Sequence, residues 1–376
     1  VVFVCASHPE WGSLAGFGLE GSDSIVAWIV FLLIYAFVAS VLPVRVLLQP
    51  RDYINSHQLF VGLGGLILGI LIVQPELSAP AFNAGAAEAG APPILPLLFI
   101  TIACGAISGF HSLVASGTTS KQLNKMRDAR TVGYGGMVGE GVLAMIAVLA
   151  VSAGLGLSES VREAFVQANP GTSPTPSELW AHSYSSWKTV GNTGIGNFVK
   201  GGATFIEPLV SWAGDHKLAE TIVAVIVISF AATTLDTAAR IQRFCLKELG
   251  RGVGTKAFDS RYVGAAVAVI PAGLLAIFTD GGRGPGSGGF ILWPLFGTTN
   301  QLIGGITLTV LFVYLRRARK PQLPIALPMV FLLVMTTIAG VMNLTNELQK
   351  ETLNTPVVLF GSLFLVLEAL VLYEAY

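Results

Sequence analysis

Charge is what this sequence has least of. Only 12% of its 376 residues are Asp, Glu, Lys or Arg, against about 25% in an ordinary soluble domain. Basic and acidic residues balance at 22 each, so no net field exists to hold a phosphate backbone, and no nucleic-acid partner is expected. Cysteine is scarce too: Cys5, Cys104 and Cys245 show no CxxC spacing, which argues against a disulfide framework or a zinc site. No HExxH, GxSxG or Cys–His signature is present, so an enzyme is not expected, and neither is a cofactor. The glycine-dense GGRGPGSGG at 281–289 follows no strand and lacks the GK[ST] of a phosphate loop; it reads as a flexible external turn.

What is abundant is apolar surface and glycine. Hydrophobic residues make up 53%, there are 43 glycines, and the mean hydropathy is +0.69. This composition implies an all-α integral membrane protein whose helices pack closely and include broken segments. Apolar runs that match the ~20 residues a bilayer crossing needs lie at 25–48, 58–74, 93–116, 133–155, 218–238, 261–279, 289–314, 324–345 and 356–376. The chain therefore reads as one transmembrane domain over 1–376 with about nine spans. The opening VVFVC looks like the tail of a helix already under way. Residues 156–216 are too long for a turn and are expected to form a structured external loop with short helices.

Orientation follows from Lys and Arg. On one side of an alternating topology fall 16 of the 22, in clusters at 45–51, 121–130, 240–261 and 316–320. The positive-inside rule makes that side cytoplasmic, which leaves Val1 and the 156–216 loop external.

Four polar stretches interrupt the apolar spans. In CGAISGFHSLVASGTTSKQL (104–123), Gly105, Ser108, Gly109, His111 and Ser112 fall where the span should be deepest. Two glycines four apart also fit a close-packing face, but that reading leaves the imidazole of His111 unexplained. A helix broken at 105–109, with Ser108 capping its second half, accounts for the whole set and turns free N–H groups toward an anion. In GYGGMVGEGVLAMIAVL (133–149), Glu140 is either a carboxyl bonded to another helix or a proton carrier, with His111 as a possible partner. In ISFAATTLDTAARIQRF (228–244), Asp236 is either paired with Arg240 at the membrane edge or involved in coupling. The adjacent hydroxyls of Thr233 and Thr234 either bond to their own helix or offer hard oxygen ligands to a small cation. In LWPLFGTTNQLIGG (292–305), Pro294 and Gly297 loosen a turn ahead of Thr298, Thr299, Asn300 and Gln301, a cluster that fits interhelical bonding or a pore lining equally.

These stretches, with DYINSHQLFVGL before the second run, resemble the carbon starvation protein A family from about residue 50 to 305. The resemblance implies a bacterial inner-membrane carrier for peptides or pyruvate, multi-pass, with protons driving the pyruvate case. It also implies an inverted-repeat helical bundle like that of amino-acid and polyamine carriers, with the first repeat incomplete here. In that frame the span at 93–116 is the broken first helix of the second repeat, and Thr233 and Thr234 occupy the sodium-site position of sodium-coupled relatives.

The expectation is therefore a secondary active transporter of a small organic molecule in the lipid bilayer. Gly105, Ser108, Gly109, His111, Ser112, Asn300 and Gln301 would face the substrate. His111, Glu140 and Asp236 would handle protons, and Thr233 and Thr234 mark a possible sodium site. A channel is the alternative from another class.

Overall fold

The computed structural model describes residues 22–213, 216–279, 281, 286–350, 353 and 355–375. Expectations for Val1 and Cys5, and for residues 282–285 of the glycine-dense turn, lie outside these residues. Among the described residues every regular element is helical. In chain order they are α1 (Ser22–Val41), α2 (Leu48–Val73), the short pieces α3 (Phe99–Ile102) and α4 (Gly109–Val114), α5 (Asp128–Leu149), α6 (Glu159–Ala168), α7 (Pro176–Ser183), α8 (Trp187–Val210), α9 (His216–Gly252), α10 (Arg261–Phe278), α11 (Trp293–Arg317), α12 (Leu323–Leu348) and α13 (Thr355–Ala375).

Among the described residues seven helical stretches are long and apolar enough to cross a membrane, and two shorter apolar helices, Ile25–Val41 and Thr355–Leu370, join them. Each of the nine expected runs falls on one of these, as a multi-pass membrane protein requires. Two extents differ from expectation. The second span is not confined to 58–74: α2 starts at Leu48 and carries the polar DYINSH as its first turns. Those side chains find local partners, His57 Nδ1 and Ser56 Oγ both lying 2.8 Å from the Tyr53 carbonyl. Pro294 and Gly297 do not loosen a span, because Pro294 stands in the first turn of a continuous α11. A proline there has no intrahelical N–H bond to lose.

The chain divides into two compact units, one of residues 1–91 with 133–274 and one of 92–132 with 275–376. The core of the first is built around α8. Leu66, Ile146, Ala150, Ala203, Phe205, Ile206, Ala219 and Val223 form one buried cluster. Residues 156–216 are thus more than a loop with short helices: α6 and α7 are present as expected, but the 24-residue α8 is packed inside the unit. Glycine makes this possible. A Cβ on Gly201 would sit 2.0 Å from the Ala150 carbonyl, and one on Gly69 would sit 1.8 Å from the Phe205 carbonyl. Lys188, Asn192, Asn197 and Lys200 depress the hydropathy of this helix below that of an ordinary membrane span. Its neighbours are the ends of α2, α5 and α9 that lie away from the basic clusters.

In the second unit α11 and α12 pack along their length. Gly305 meets Leu333, and Gly340 meets Phe364 and Leu365 of α13. A cluster of Leu302, Leu333 and Phe364 closes the interior.

Candidate functional site

The segment Ile94–Gln122 is the element that departs most from a regular span. Its first half ends in a tight turn at Ala103–Gly105, and both Ala106 and Ile107 donate to the Ala103 carbonyl. Ser108 is extended (φ −114°, ψ 125°), and its hydroxyl accepts from His111 N at 3.3 Å, the geometry of an N-cap. From Gly109 the chain is helical again through a widened turn at Ala115–Thr119. The break expected at 105–109 is present.

Asn300 holds the break against α11. Its Oδ1 accepts from Phe110 N at 2.7 Å and from Ser108 Oγ at 3.3 Å, and its Nδ2 reaches Cys104 Sγ at 3.2 Å. Two turns along, Thr307 Oγ1 donates to Ser112 Oγ at 2.9 Å, and Ser112 Oγ lies 2.6 Å from the Gly109 carbonyl. Asn300, Ile303, Gly304 and Thr307 are one face of α11, and Gly109 lies on that face. A Cβ there would sit 2.1 Å from the Asn300 carbonyl and 2.5 Å from Ile303 Cβ. Gly105 has no described neighbour within 4 Å. The two glycines four apart therefore are not one packing motif: one is a contact and the other belongs to the break.

Two donors of the second half-helix, Phe110 N and His111 N, are thus engaged by protein groups in this conformation. The His111 ring is exposed and lies edge-on to Phe110. Gln301 is fully buried on α11, and neither of its amide atoms has a hydrogen-bond partner. Thr298, also buried, accepts from Asn343 Nδ2 at 3.1 Å.

In the other unit Asp236 is fully buried, but its partner is not Arg240. It forms an ion pair with Arg51 of α2 and accepts from Tyr35 OH of α1 at 3.0 Å. Arg240 instead donates to the Ala39 and Leu42 carbonyls at 2.6 and 2.7 Å, closing the end of α1. The i+4 spacing misled because a cation on another helix reaches the carboxylate and the local one serves orphan carbonyls. Thr233 and Thr234 both donate to the Phe230 carbonyl, at 2.7 and 3.1 Å, so their hydroxyl hydrogens are spent on their own helix. Glu140 is exposed, and Gly133, Gly135, Gly136, Gly139 and Gly141 around it have no described neighbour within 4 Å.

Asn343, Thr307 and Glu368 were not among the candidates. For Glu368 a signal existed, a carboxyl in the middle of the apolar run 356–376. The others are hydroxyl and amide groups whose partners only the packing of α11 reveals.

The sequence model of the family described as carbon starvation protein CstA matches residues 17–339. A peptide transporter CstA of Helicobacter pylori is 34% identical over 358 residues, covering 88% of this chain and 51% of its own length. One of Mycobacterium tuberculosis is 34% identical over 336 residues, 82% of this chain and 44% of that protein. The pyruvate/proton symporter BtsT of Escherichia coli is 32% identical over 389 residues, 89% and 52% respectively. The chain spans about half the length of the curated relatives it matches. No solved structure matches it significantly.

Proposed function

Because the chain belongs to the carbon starvation protein CstA family, we propose that it works in the bacterial inner membrane as part of a proton-coupled carrier that takes up pyruvate or short peptides. The observation that carries this reading is the break in Ile94–Gln122, held open by Asn300 rather than healed into a helix. Irregular backbone at membrane depth is tolerated where it lines a cavity, and carriers built from inverted repeats place their substrate at such discontinuous helices. In this reading Ser108, Gly109 and Ser112 present backbone and hydroxyl groups to the substrate's carboxylate, beside Gly105. Exchange of Asn300 Oδ1 for that carboxylate frees Phe110 N to bind it. The unpartnered amide of Gln301 supplies a further contact. His111 and Glu140 are the proton-carrying groups, and rocking of the inverted repeats that the family resemblance implies gives alternating access. Asp236, held by Arg51 and Tyr35, is assigned to structure instead of coupling.

Accumulation of labelled pyruvate or dipeptide against its gradient in proteoliposomes is the test, with each compound competing against the other. Flux that only dissipates a gradient would indicate a channel. Glu140→Gln is expected to lose proton-driven accumulation and keep counterflow exchange, whereas His111→Ala loses both. Stimulation by sodium at fixed pH, erased by Thr234→Val, would transfer coupling to the Thr233–Thr234 hydroxyls.

A further inference from the structure

A carboxyl that neither the family comparison nor the proposed site uses is hidden in the last helix. Glu368 of α13 is 2% exposed. Its Oε1 lies 2.7 Å from Thr337 Oγ1 and 3.2 Å from Thr336 Oγ1, both on α12. Among the described residues its buried Oε2 has no hydrogen-bond partner, and no cation pairs with it. An ionised carboxylate in such a place calls for donors on both oxygens or a counter-charge.

Counting hydrogens sharpens the point. Each threonine hydroxyl has one hydrogen, and each is also within reach of its own helix: Thr337 Oγ1 is 2.8 Å from the Leu333 carbonyl, and Thr336 Oγ1 is 2.9 Å from the Leu332 and Leu333 carbonyls. If both hydrogens go to those carbonyls, the short contact to Thr337 needs a proton on the carboxyl, which then donates to Thr337 Oγ1. If both turn to Oε1, the same heavy-atom positions hold the ionised form. One geometry thus serves both protonation states, and the unpartnered Oε2 favours the protonated one.

The surroundings extend this polar layer. α11 and α12 touch at Thr298 with Asn343 and at Gly305 with Leu333. Between those contacts, helical register sets Gln301 level with about Ile338–Ala339, within one turn of Thr336 and Thr337. Gln301 is, like Glu368, a fully buried polar side chain with unpartnered atoms among the described residues. Few titratable groups compete. On α12 there is only Glu347, some three turns away and paired with Lys350. On α11 there are Tyr314, Arg316 and Arg317 in the last turns, on α13 itself Tyr373 and Glu374, and on Gly288–Leu292 none.

We propose that Glu368, with Thr336 and Thr337, is a proton-binding site within the second unit: the carboxyl is protonated at neutral pH and exchanges its proton with water when the layer opens. On release the proton passes to water as hydronium, and the carboxylate left behind takes the two threonine hydrogens. As a coupling site this rests on the proton-driven reading above; the protonation of Glu368 stands separately. Infrared difference spectroscopy on the purified protein in lipid tests it. A protonated-carboxyl C=O band at pH 7 is expected in the parent protein, lost in Glu368→Gln and shifted in Thr337→Val. Glu368→Gln is expected to lower proton-driven accumulation at least tenfold while counterflow stays within twofold. Thr337→Val keeps the carboxyl, so its band shift decides the matter if Glu368→Gln does not fold. A band unchanged in both variants overturns the site, as does a Glu368 band abolished by sodium at fixed pH. A band assigned to Glu368 in a protein whose uptake ignores the proton gradient upholds the site and overturns proton coupling.

Discussion

Substituting Gly109 and Gly105 separately by alanine gives two unequal results. At Gly109 the new Cβ lands 2.1 Å from the Asn300 carbonyl oxygen, 2.5 Å from Ile303 Cβ and 2.7 Å from Gly304 N. Two of these three atoms are backbone, so no rotamer change relieves the clash. Ordinary contact begins at 3.4 Å, so α4 and α11 must part by about 1.3 Å, with overpacking worth about 1–3 kcal/mol. The same displacement stretches the 2.7 Å bond from Phe110 N to Asn300 beyond hydrogen-bonding range. Leaving that donor unpaired adds about 1–3 kcal/mol. Gly109→Ala is therefore expected to destabilise the protein by about 2–6 kcal/mol. Gly105→Ala meets no described atom within 4 Å and should stay within about 0.5 kcal/mol of the parent. Reversible unfolding of both variants in mixed detergent micelles measures the difference, with Gly109→Ser as a graded third point. Equal losses at the two positions would refute the reasoning and restore the two glycines to a single packing face.

Asp236→Asn should cost about 1.5–3 kcal/mol in the same assay, because Arg51 loses its buried partner and keeps only the exposed Asp52; Asp236→Leu with Arg51→Met should recover much of that, and a neutral Asp236→Asn would count against the buried pair. Asn300→Leu should lower both stability and uptake, since the break loses its acceptor for Phe110 N and Ser108 Oγ; unchanged transport would remove Asn300 from the site. Outside the spans, Thr175 and Glu178 cap α7 reciprocally, so Thr175→Ala should loosen α7 by about 0.5–2 kcal/mol in amide exchange. Hydrogen bonds from the Thr175 backbone N–H and hydroxyl hold the Glu178 carboxyl below its ordinary range. Its capping contribution is therefore full above the unfolded carboxylate's pKa and lost as pH falls through the lowered folded value; α7 amides whose protection stays flat through that acid range would contradict this. Cysteines placed singly near Ser158 and near Arg251 should be labelled from opposite faces of intact cells, external and cytoplasmic respectively.

The sequence by itself determined the class of molecule, the positions of the apolar helices and the break at 105–109. These are local properties. A bilayer demands long apolar runs, and a Gly-Ala-Ile-Ser-Gly stretch holds a helix less firmly than its neighbours do, with Ser108 ready to cap the half-helix that begins at Gly109. What the sequence could not determine was partnership. Asp236 has an arginine four residues along, yet pairs with Arg51 from 185 positions away. Asn300 stood in a polar cluster of unassigned role until packing set it against Ser108 and Phe110. α8 escaped notice because its lysines and asparagines lower its hydropathy, whereas its burial depends on Gly201 meeting Ala150 and Gly69 meeting Phe205. Glu368 was visible as a carboxyl in mid-span, but only the meeting of α12 and α13 showed one oxygen facing two hydroxyls and the other facing none. Side chains far apart in sequence meet through the close approach of helix backbones, and that approach is decided by the tertiary structure.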